Sequence, residues 1–298
     1  MRIAITGARG RLGRAIVQAC AGRHDVVALA HEDLDIADSA AVAAAADRIA
    51  PDVVVNAAAK AGVDDAEEHP VDALNVNGFG VQTLAQAAAR RGALFIHYST
   101  DFVFDGTASE PYRETDPTNP RSVYGLSKRL GEWFAIDAPR GYVLRVETLF
   151  GPQAHAAASK GSVAAIVDAL KAGQSPKVFT DRTVSPTYIP DAAQATRRLI
   201  ESAPPAGIYH CVNSGSSTWH AFAVELARQL GVEPRVTPVR FVDTPMKAPR
   251  PQHCALSNDK LRSVGIEMPT WQDAVRRYVA AISTAAGEPG DQLADGET

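Results

Sequence analysis

The sequence predicts an α/β fold in which a doubly wound parallel sheet carries a smaller α/β lobe. Two observations predict this class. In the first half of the chain, short apolar runs without a polar face alternate with helix-like segments, which is the pattern of a parallel sheet covered on both sides. After Gly151, proline and glycine become frequent and the strand-like runs become short. We therefore expect the second half to form a smaller lobe that is interleaved with returns to the sheet.

The first half divides into alternating strands and helices. The strands are predicted at 2–6, 25–30, 52–56, 93–99 and 142–146, and the helices at 11–21, 39–50, 71–91 and 123–136. Asp38 or Ser39 is a suitable N-cap for the second helix, and Pro51 separates that helix from the third strand.

The second half is predicted to contain two short strands, at 177–180 and 208–212. Helices are expected at 161–172, 191–201, 218–230 and 271–282. Trp219 and Trp271 lie at the starts of the last two helices, and we interpret them as core residues of this lobe. Residues 285–298 are rich in acidic residues and glycine and have little to bury, so they are expected to form a disordered tail.

The composition excludes several classes of protein. The chain has 298 residues, a formal net charge of -4 and no run of lysine and arginine, so nothing in it is typical of nucleic-acid binding. No apolar stretch approaches the roughly 20 residues that span a bilayer, and the first strand begins too early to leave room for a signal peptide. Cys20, Cys211 and Cys254 are far apart and lack metal-ligand spacing. We therefore expect a cytoplasmic protein with no metal site, no nucleic-acid partner and no membrane partner.

A glycine-rich turn follows the first strand directly. Gly7, Gly10 and Gly13 have the spacing Gly-x-x-Gly-x-x-Gly and open the first helix. The first glycine permits the tight turn, the second lets a pyrophosphate approach the backbone, and the third allows the helix to pack closely on the sheet. The free N–H groups at the helix N-terminus favour phosphate. Residues 1–150 are thus predicted to form a Rossmann-type dinucleotide-binding domain, to which segments of about 185–212 return, and 151–284 are mainly a substrate-binding lobe.

The residues around this turn indicate which dinucleotide binds. NAD enzymes usually place an acid at the end of the second strand, whereas this strand ends at Ala30 and His31, before the first acids. Arg9 and Arg11 in the turn are suited to contact a 2′-phosphate. NADP(H) is therefore the expected cofactor. NAD(H) stays open, since both arginines could instead be solvated surface charges.

A tyrosine and a lysine four residues apart are the candidate catalytic pair. Tyr124 and Lys128 fall on one face of the predicted helix 123–136. A phenol with a pKa near 10 is a weak acid–base at neutral pH, and an adjacent ammonium favours the phenolate and lowers that pKa. Thr100 follows the fourth strand, at the carboxyl edge where open α/β sheets bind ligands. We expect Thr100 to hydrogen-bond a substrate carbonyl beside Tyr124.

Together these motifs resemble the extended short-chain dehydrogenase/reductases that act on nucleotide sugars, and within them the dTDP-4-dehydrorhamnose reductases. The resemblance covers about residues 1–283. Besides the glycine turn and the Tyr-x-x-x-Lys pair, it rests on the segments Leu34-Asp35-Ile36, Pro51-Asp52-Val53-Val54-Val55-Asn56-Ala57-Ala58-Ala59, Val63-Asp64, Ala66-Glu67, Asn75-Val76-Asn77, Ser99-Thr100-Asp101-Phe102-Val103-Phe104-Asp105-Gly106, Ser185-Pro186-Thr187-Tyr188 and Pro249-Arg250-Pro251.

The resemblance and the residue patterns together imply the site. The expected catalytic residues are Thr100, Tyr124 and Lys128. The expected cofactor contacts are Gly7, Arg9, Gly10, Arg11, Leu12, Gly13, Asp35, Ile36, Ala57, Ala58, Ala59, Tyr124 and Lys128. The expected contacts of the nucleotide-sugar substrate are Thr100, Asp101, Phe102, Thr148, Arg182 and Arg250. The last two arginines lie in Pro/Thr-rich loops where a diphosphate needs cations, although surface salt bridges would explain them as well.

The loop after the fourth strand distinguishes the reactions of this family. Nucleotide-sugar dehydratases typically carry Thr-Asp-Glu there and epimerases usually carry small residues, whereas this chain has Thr100-Asp101-Phe102. Because Phe102 cannot move a proton, the resemblance implies reduction of a 4-keto-6-deoxy nucleotide sugar, with dTDP-4-dehydrorhamnose as the first candidate. Another nucleotide-sugar reductase or epimerase stays open, as does a non-catalytic NADP-binding protein similar to the regulatory subunit of methionine adenosyltransferase. A homodimer is a further expectation.

Three departures from the family pattern bear on the sugar. Family members often carry an aromatic residue and Thr where this chain has Lys60 and Ala61, and Lys where it has Asp65. A tryptophan common after the fifth strand is replaced by Thr148. The residues for hydride transfer are intact, so these changes affect the expected sugar and not the expected reaction. His97, within the fourth strand, is interpreted as a satisfied core residue.

Overall fold

The structure is a computed structural model that describes residues 1–152 and 161–287. Its strands are β1 (Arg2–Thr6), β2 (Asp25–Leu29), β3 (Val53–Asn56), β4 (Leu94–Thr100), β5 (Gly141–Val146), β6 (Leu149–Phe150), β7 (Lys177–Phe179), β8 (Thr183–Val184), β9 (Thr187–Tyr188), β10 (Gly207–His210), β11 (Ser217–Thr218) and β12 (Thr237–Val239). Its helices are α1 (Arg11–Cys20), α2 (Ser39–Ile49), α3 (Val63–Glu68), α4 (Pro70–Leu74), α5 (Gly80–Arg90), α6 (Val123–Ile136), α7 (Gly161–Lys171), α8 (Ile189–Ser202), α9 (Trp219–Leu230), α10 (Asp259–Ser263) and α11 (Trp271–Gly287). The described residues also include a π-helical turn at Asn75–Phe79 and 3-10 turns at Asp101–Val103 and Phe241–Asp243.

Six parallel strands form the central sheet in the order β2-β1-β3-β4-β5-β10. The strand order reverses between β1 and β3, and such a switch point is where open α/β sheets bind ligands. The register places Thr6 beside Leu29 on one side and beside Asn56 on the other. The carboxyl ends of these three strands therefore meet at one edge. This is the doubly wound α/β class that the sequence predicts.

Successive side chains of a strand point to opposite faces of the sheet, and on both faces they are apolar and buried. In β1, Ile3 and Ile5 pack into the cluster that includes α1 and α8, whereas Ala4 packs into the cluster that includes α2 and α5. Burying a side chain as large as isoleucine contributes roughly 1.5–3 kcal/mol. A third cluster, around Phe150 and Phe222, forms the core of the second lobe.

Most elements lie where the sequence pattern predicts them, with ends that agree to within one or two residues. The predicted helix at 71–91 is the main exception, because it is divided into α4, the π-helical turn and α5. Inside that turn the Asn77 side chain accepts a hydrogen bond from Lys60 N at 2.9 Å and donates one to Lys60 O at 3.0 Å. These bonds tie the turn to the chain after β3. The sequence-based prediction lacks the short helices α3 and α10 and the short strands β6, β8, β9, β11 and β12.

The last helix is longer than predicted. It runs to Gly287 instead of residue 282 and so takes in the first residues of the predicted tail. The rest of that tail, 288–298, lies outside the described residues, as does 153–160. Among the helices of the described segments, none is both long and apolar enough to cross a membrane.

Candidate active site

The glycine turn joins β1 to α1 at the switch point. Gly7 has φ +66°, in the left-handed region that favours glycine, and Gly10 N donates to Gly7 O at 2.9 Å. A Cβ at Gly7 would lie 2.6 Å from the nitrogen of Ala58, and a Cβ at Gly13 would lie 2.2 Å from the oxygen of Gly7. Real Cβ atoms do not approach other atoms so closely, so both positions require glycine. The turn is thereby held against the segment after β3.

A cleft of about 470 Å³ opens beside this turn. Its walls come from the turn, the end of β2 and the segment after β3, and they include Gly7, Arg9, Gly10, His31, Asp35, Ile36, Ala57, Ala58, Ala59 and Lys60. In the described chain, no side chain caps the N-terminus of α1, so its N–H groups are free to bind phosphate. Small side chains and free N–H groups together fit a dinucleotide.

The two arginines of the turn point in different directions. Arg9 lies in the cleft, where its guanidinium contacts Glu32 at 2.8 Å. Arg11 lies beside the start of α7, since a Cβ at Gly161 would be 2.9 Å from its Nη1. Its Nε is buried and has no hydrogen-bond partner among the residues that the structure describes. Burial lowers the pKa of Arg11, with Tyr278 acting in the opposite direction. Arg9 and Arg11 are therefore not brought together.

β4 and α6 bring Thr100 and Tyr124 together. Thr100 ends β4, and Tyr124 lies in the first turn of α6, whose N-cap Ser122 accepts from Gly125 N at 3.1 Å. A Cβ at Gly125 would lie 2.3 Å from the oxygen of Phe102, so this glycine lets α6 pack on the turn after β4. The ring of Tyr124 then meets the ring of Phe102 edge-on, with 5.5 Å between centroids.

The acid–base character of Tyr124 differs from the sequence-based expectation. Burial raises the pKa of Tyr124 to about 12 and the Asp101 carboxyl adds to the rise, whereas a hydrogen bond with Thr100 acts against it. Burial lowers the pKa of Lys128 to about 7, and Lys128 Nζ donates to the carbonyl oxygen of Tyr98 at 2.5 Å. The structure thus lacks the lowering of the Tyr124 pKa that the sequence predicts. Tyr124 is held as the neutral phenol, which is the form that donates a proton.

A buried polar cluster lies behind Thr100. One side-chain atom from each of Asp101, Glu147 and Cys254 lies within 4.8 Å of the other two. Burial raises the pKa of Asp101 and raises that of Glu147 well above its usual value. Arg182 Nη2 donates to Cys254 Sγ at 3.6 Å, and its charge opposes the rise at both carboxyls. Arg182 therefore supplies positive charge to this cluster, and it would repel a metal ion placed there.

A larger cavity, of about 630 Å³, opens beside this cluster. Arg182 and Arg250, which the sequence singles out as diphosphate contacts, both line it. Arg250 Nη2 donates to Asp64 Oδ2 of α3 at 2.8 Å. The guanidinium of Arg182 lies 5.9 Å from the centroid of the Phe102 ring, which also packs on Tyr124. Arg182 and Phe102 therefore connect the wall of the cavity to Tyr124.

The remaining predicted contacts fall in different places. Asp35 is exposed and Ile36 is buried, and both line the cleft. Leu12 packs against the core beneath α1. Thr148, after β5, adopts φ +39°, and its hydroxyl donates to Glu147 Oε1 at 3.4 Å.

Sequence reasoning missed several lining residues of the larger cavity. Trp219 is interpreted from the sequence as lobe core, but it lines this cavity, and within residues 1–152 and 161–287 its buried Nε1 has no partner. Asp64 belongs to a motif of the resemblance without an assigned role there, and Lys247 stands just before the Pro249-Arg250-Pro251 segment. Proximity to these motifs was the only available signal for Asp64 and Lys247.

The doubly wound sheet, the glycine turn at its switch point and the Tyr-x-x-x-Lys pair beside β4 define an extended short-chain dehydrogenase/reductase. Comparison with protein families matches residues 1–284 to the family described as RmlD substrate binding domain. The chain belongs to this family.

Individual relatives agree with the family match over nearly the whole chain. A dTDP-4-dehydrorhamnose reductase of Streptomyces griseus is 37% identical over 294 residues, which cover 96% of this chain and 95% of that protein. A probable dTDP-4,6-dihydroxy-2-methyloxan-3-one 4-ketoreductase of Streptomyces antibioticus is 37% identical, with 97% and 98% covered. The crystal structure of dTDP-4-dehydrorhamnose reductase from Bacillus anthracis in complex with NADP superposes with a TM-score of 0.87 at 28% identity, covering 94% of this chain and 99% of that one.

Proposed function

We propose that the protein uses NADP(H) to reduce the 4-keto group of a dTDP-linked 6-deoxy sugar, with dTDP-4-dehydrorhamnose as the substrate and dTDP-rhamnose as the product. The observation that carries the proposal is the meeting of Thr100 and Tyr124, with Lys128 one helical turn on, at the ligand-binding edge of the sheet. The S. griseus relative supports the substrate and the NADP-bound structure supports the cofactor. Phe102, in place of a proton-transferring residue, argues against dehydration.

The chain's own residues handle the proton and the orientation of the reactants. The bound reduced nicotinamide supplies a hydride to the keto carbon. Tyr124 gives its hydroxyl proton to the alkoxide oxygen that forms, and its raised pKa keeps the proton on the phenol until then. Thr100 orients the carbonyl, and Lys128 holds the cofactor ribose.

We assign the remaining roles by position. Arg182 and Arg250 bind the diphosphate of the substrate in the larger cavity, where both guanidinium groups are present. Asp101, Phe102 and Thr148 border the sugar. In the cleft, Arg9 reaches the 2′-phosphate, and the backbone of the glycine turn and α1 binds the pyrophosphate.

The test is the loss of NADPH absorbance with purified protein and dTDP-4-dehydrorhamnose, beside a panel of related 4-keto-6-deoxy nucleotide sugars. Tyr124→Phe removes the proton donor and keeps the ring, so kcat should fall by about 10²-fold or more, with NADPH affinity little changed. Tyr142→Phe is the matched control, because that hydroxyl donates to Pro204 O far from the site. Tight NADPH binding without turnover of any sugar in the panel would favour a non-catalytic binding protein.

We propose that the protein is a homodimer. Its support is an exposed apolar face on α6, where Leu126 and Trp133 are 51% and 60% exposed, next to Phe79, which is 51% exposed. An apolar patch of this kind is typical of a subunit contact. Light scattering should give twice the monomer mass for the wild type and the monomer mass for Trp133→Lys. A monomeric wild type would contradict the assignment.

We place the protein in the cytoplasm. Cys20, Cys211 and Cys254 are buried free thiols in the described structure, and a reducing compartment maintains such thiols. Fractionation of cells that make the protein tests the location, and recovery with the membrane pellet would contradict it.

A further inference from the structure

A buried row of polar side chains crosses the sheet from β1 to α6. Thr6 Oγ1 donates to Asn56 Oδ1 at 2.7 Å, and Ala58 N donates to the same oxygen at 3.1 Å. Asn56 Nδ2 lies 3.2 Å from His97 Nδ1, and His97 Nε2 lies 3.4 Å from Lys128 Nζ. The Thr6, Asn56, His97 and Lys128 side chains are all at most 3% exposed, so they must satisfy one another.

The backbone sets the direction of these hydrogen bonds. The N–H of Ala58 can only donate, so the atom of Asn56 that faces it is the amide oxygen. The amide nitrogen of Asn56 then faces His97, and because that nitrogen can only donate, Nδ1 of His97 must accept. The proton of the neutral ring is therefore on Nε2. An imidazolium would place a second donor against the Asn56 amide, and burial keeps the pKa of His97 well below its usual value.

The Nε2–H of His97 consequently points at Lys128. An ammonium has no lone pair and cannot accept this hydrogen, whereas a neutral amine accepts it and still donates to the Tyr98 carbonyl at 2.5 Å. The contact is close because α6 carries Gly131 opposite the ring, where a Cβ would lie 3.0 Å from His97 Nε2. Only the uncharged form of Lys128 satisfies both neighbours.

Other charged groups near Lys128 are already engaged. Glu132, one turn along α6, accepts two hydrogen bonds from Arg145 of β5, at 2.7 Å and 2.8 Å. Asp101, in the turn after β4, accepts a hydrogen bond from Thr100 at 2.9 Å, and its charge raises the pKa of Tyr124. The charge of Glu132 raises the pKa of Lys128, but burial lowers it by more.

We propose that His97 is a positioning residue that acts through Lys128: it donates its Nε2–H to the lysine and holds it as a neutral amine in the cofactor-free protein. Without a positive charge beside it, the phenolate of Tyr124 is not stabilised, so Tyr124 stays protonated and ready to donate. This effect on Tyr124 rests on the proposed reductase function. The charge state of Lys128 does not.

Two NMR measurements on the wild-type protein test the proposal directly. Long-range ¹H–¹⁵N correlations of the histidine rings, assigned with His97→Gln, should show the proton of His97 on Nε2. A pH titration of the lysine ε-groups, assigned with Lys128→Met, should show Lys128 titrating near 7, about three pH units below ordinary lysines. A proton on Nδ1, or a Lys128 that titrates with the other lysines, would overturn the proposal.

Exchanging the amide group of Asn56 for a carboxylate should reverse the direction of the hydrogen bonds in this row. In Asn56→Asp the second carboxylate oxygen replaces the amide nitrogen, so Nδ1 of His97 must carry the proton and Nε2 becomes an acceptor for the Lys128 ammonium. The titration of Lys128 should then move up by about one pH unit or more. The matched control is Asn77→Asp, which adds a carboxyl beside α6 at Ser127, because the hydrogen bonds of the Asn77 side chain in the described structure go to Lys60 and Ser127 and not to His97. It should leave the His97 tautomer unchanged.

The catalytic readout follows from the same exchange. An ammonium beside Tyr124 lowers the pKa of the phenol, so the alkaline limb of the pH profile of kcat/KM for NADPH, which reports the cofactor-free protein, should move to lower pH in Asn56→Asp and stay in place in Asn77→Asp. The NMR measurements need neither cofactor nor substrate. Their failure overturns the role of His97 and leaves the proposed function intact, whereas a failed reduction assay does the reverse.

Discussion

Two ligand-sized openings in the described part of the chain depend on different features of their walls. In the cleft at the switch point, the wall at the glycine turn consists of backbone and small side chains, such as Gly7, Ala57 and Ala58, which lie against one another. In the larger cavity, charged side chains, including Asp64, Arg182 and Arg250, stand among apolar ones. The cleft depends on the absence of side chains at its glycines, and the larger cavity depends on its charged side chains. Adding one methyl group should therefore break the first, and removing one charge should impair the second.

Gly13→Ala should have the largest effect. Its Cβ would lie 2.2 Å from the Gly7 oxygen, so either α1 or the turn must move, and the phosphate-binding N–H groups move with it. We expect NADPH affinity to fall by more than about 100-fold, equivalent to about 2.7 kcal/mol, together with a lower melting temperature. Gly10→Ala is the graded comparison in the same turn: its Cβ would lie 3.1 Å from that oxygen, so the melting temperature should fall less, and any loss of NADPH affinity would come from the methyl group facing the pyrophosphate. Calorimetric titration and thermal melts measure both, and a Gly13→Ala protein with normal affinity would refute the steric account.

Arg250→Ala tests the charged cavity. Losing a charge-assisted contact to a diphosphate costs about 1.5–3 kcal/mol, so the KM for the nucleotide sugar should rise about 10- to 100-fold while NADPH affinity stays constant. Asp64→Asn is the matched variant, because it keeps an oxygen for the Ala248 N–H but removes the charge that pairs with Arg250. Its KM should stay level or fall. If Arg250→Ala weakens NADPH as much as the sugar, the cavity does not serve the substrate alone.

Arg9 should give the smallest effect of the three, because it is exposed and already paired with Glu32. Arg9→Ala should weaken NADPH by about tenfold and leave NADH unchanged. Glu32→Gln frees the guanidinium and should increase the preference for NADPH. Arg11→Ala should leave the preference for NADPH over NADH unchanged, since Arg11 lies away from the cleft beside Gly161. Titrations of each variant with NADPH and NADH measure these affinities. An equal affinity of the wild type for both cofactors would mean that Arg9 has no part in cofactor selection.

The elements that were predicted well are those with local signals. The helix at 123–136 has its predicted bounds because the Ser122 N-cap and the residues that follow act within one turn of the chain. The division of the predicted helix 71–91 was not predictable in this way. It accompanies the bonds between Asn77 and the backbone of Lys60, which is 17 residues away.

The candidate site shows the same limit. Thr100, Tyr124 and Lys128 could be named from the sequence because their spacing and their place after β4 carry the signal. The acid–base states could not, because burial raises the pKa of Tyr124 and lowers that of Lys128, and burial is a property of the packed chain. Asp64 and Arg250 meet across 186 residues, so no spacing could pair them.

The sequence by itself determined the order of strands and helices, the glycine turn and the identity of the residues that can transfer a proton. These depend on side-chain chemistry and on interactions between neighbours in the chain. Only the tertiary structure decided that Arg9 and Arg11 separate, that Arg182 joins the buried carboxyls, and that His97 faces Lys128 with its proton. Those outcomes depend on which distant segments pack against one another and bury these groups. The direction of a hydrogen bond and the strength of a charge interaction depend on the partners and the burial that the fold supplies.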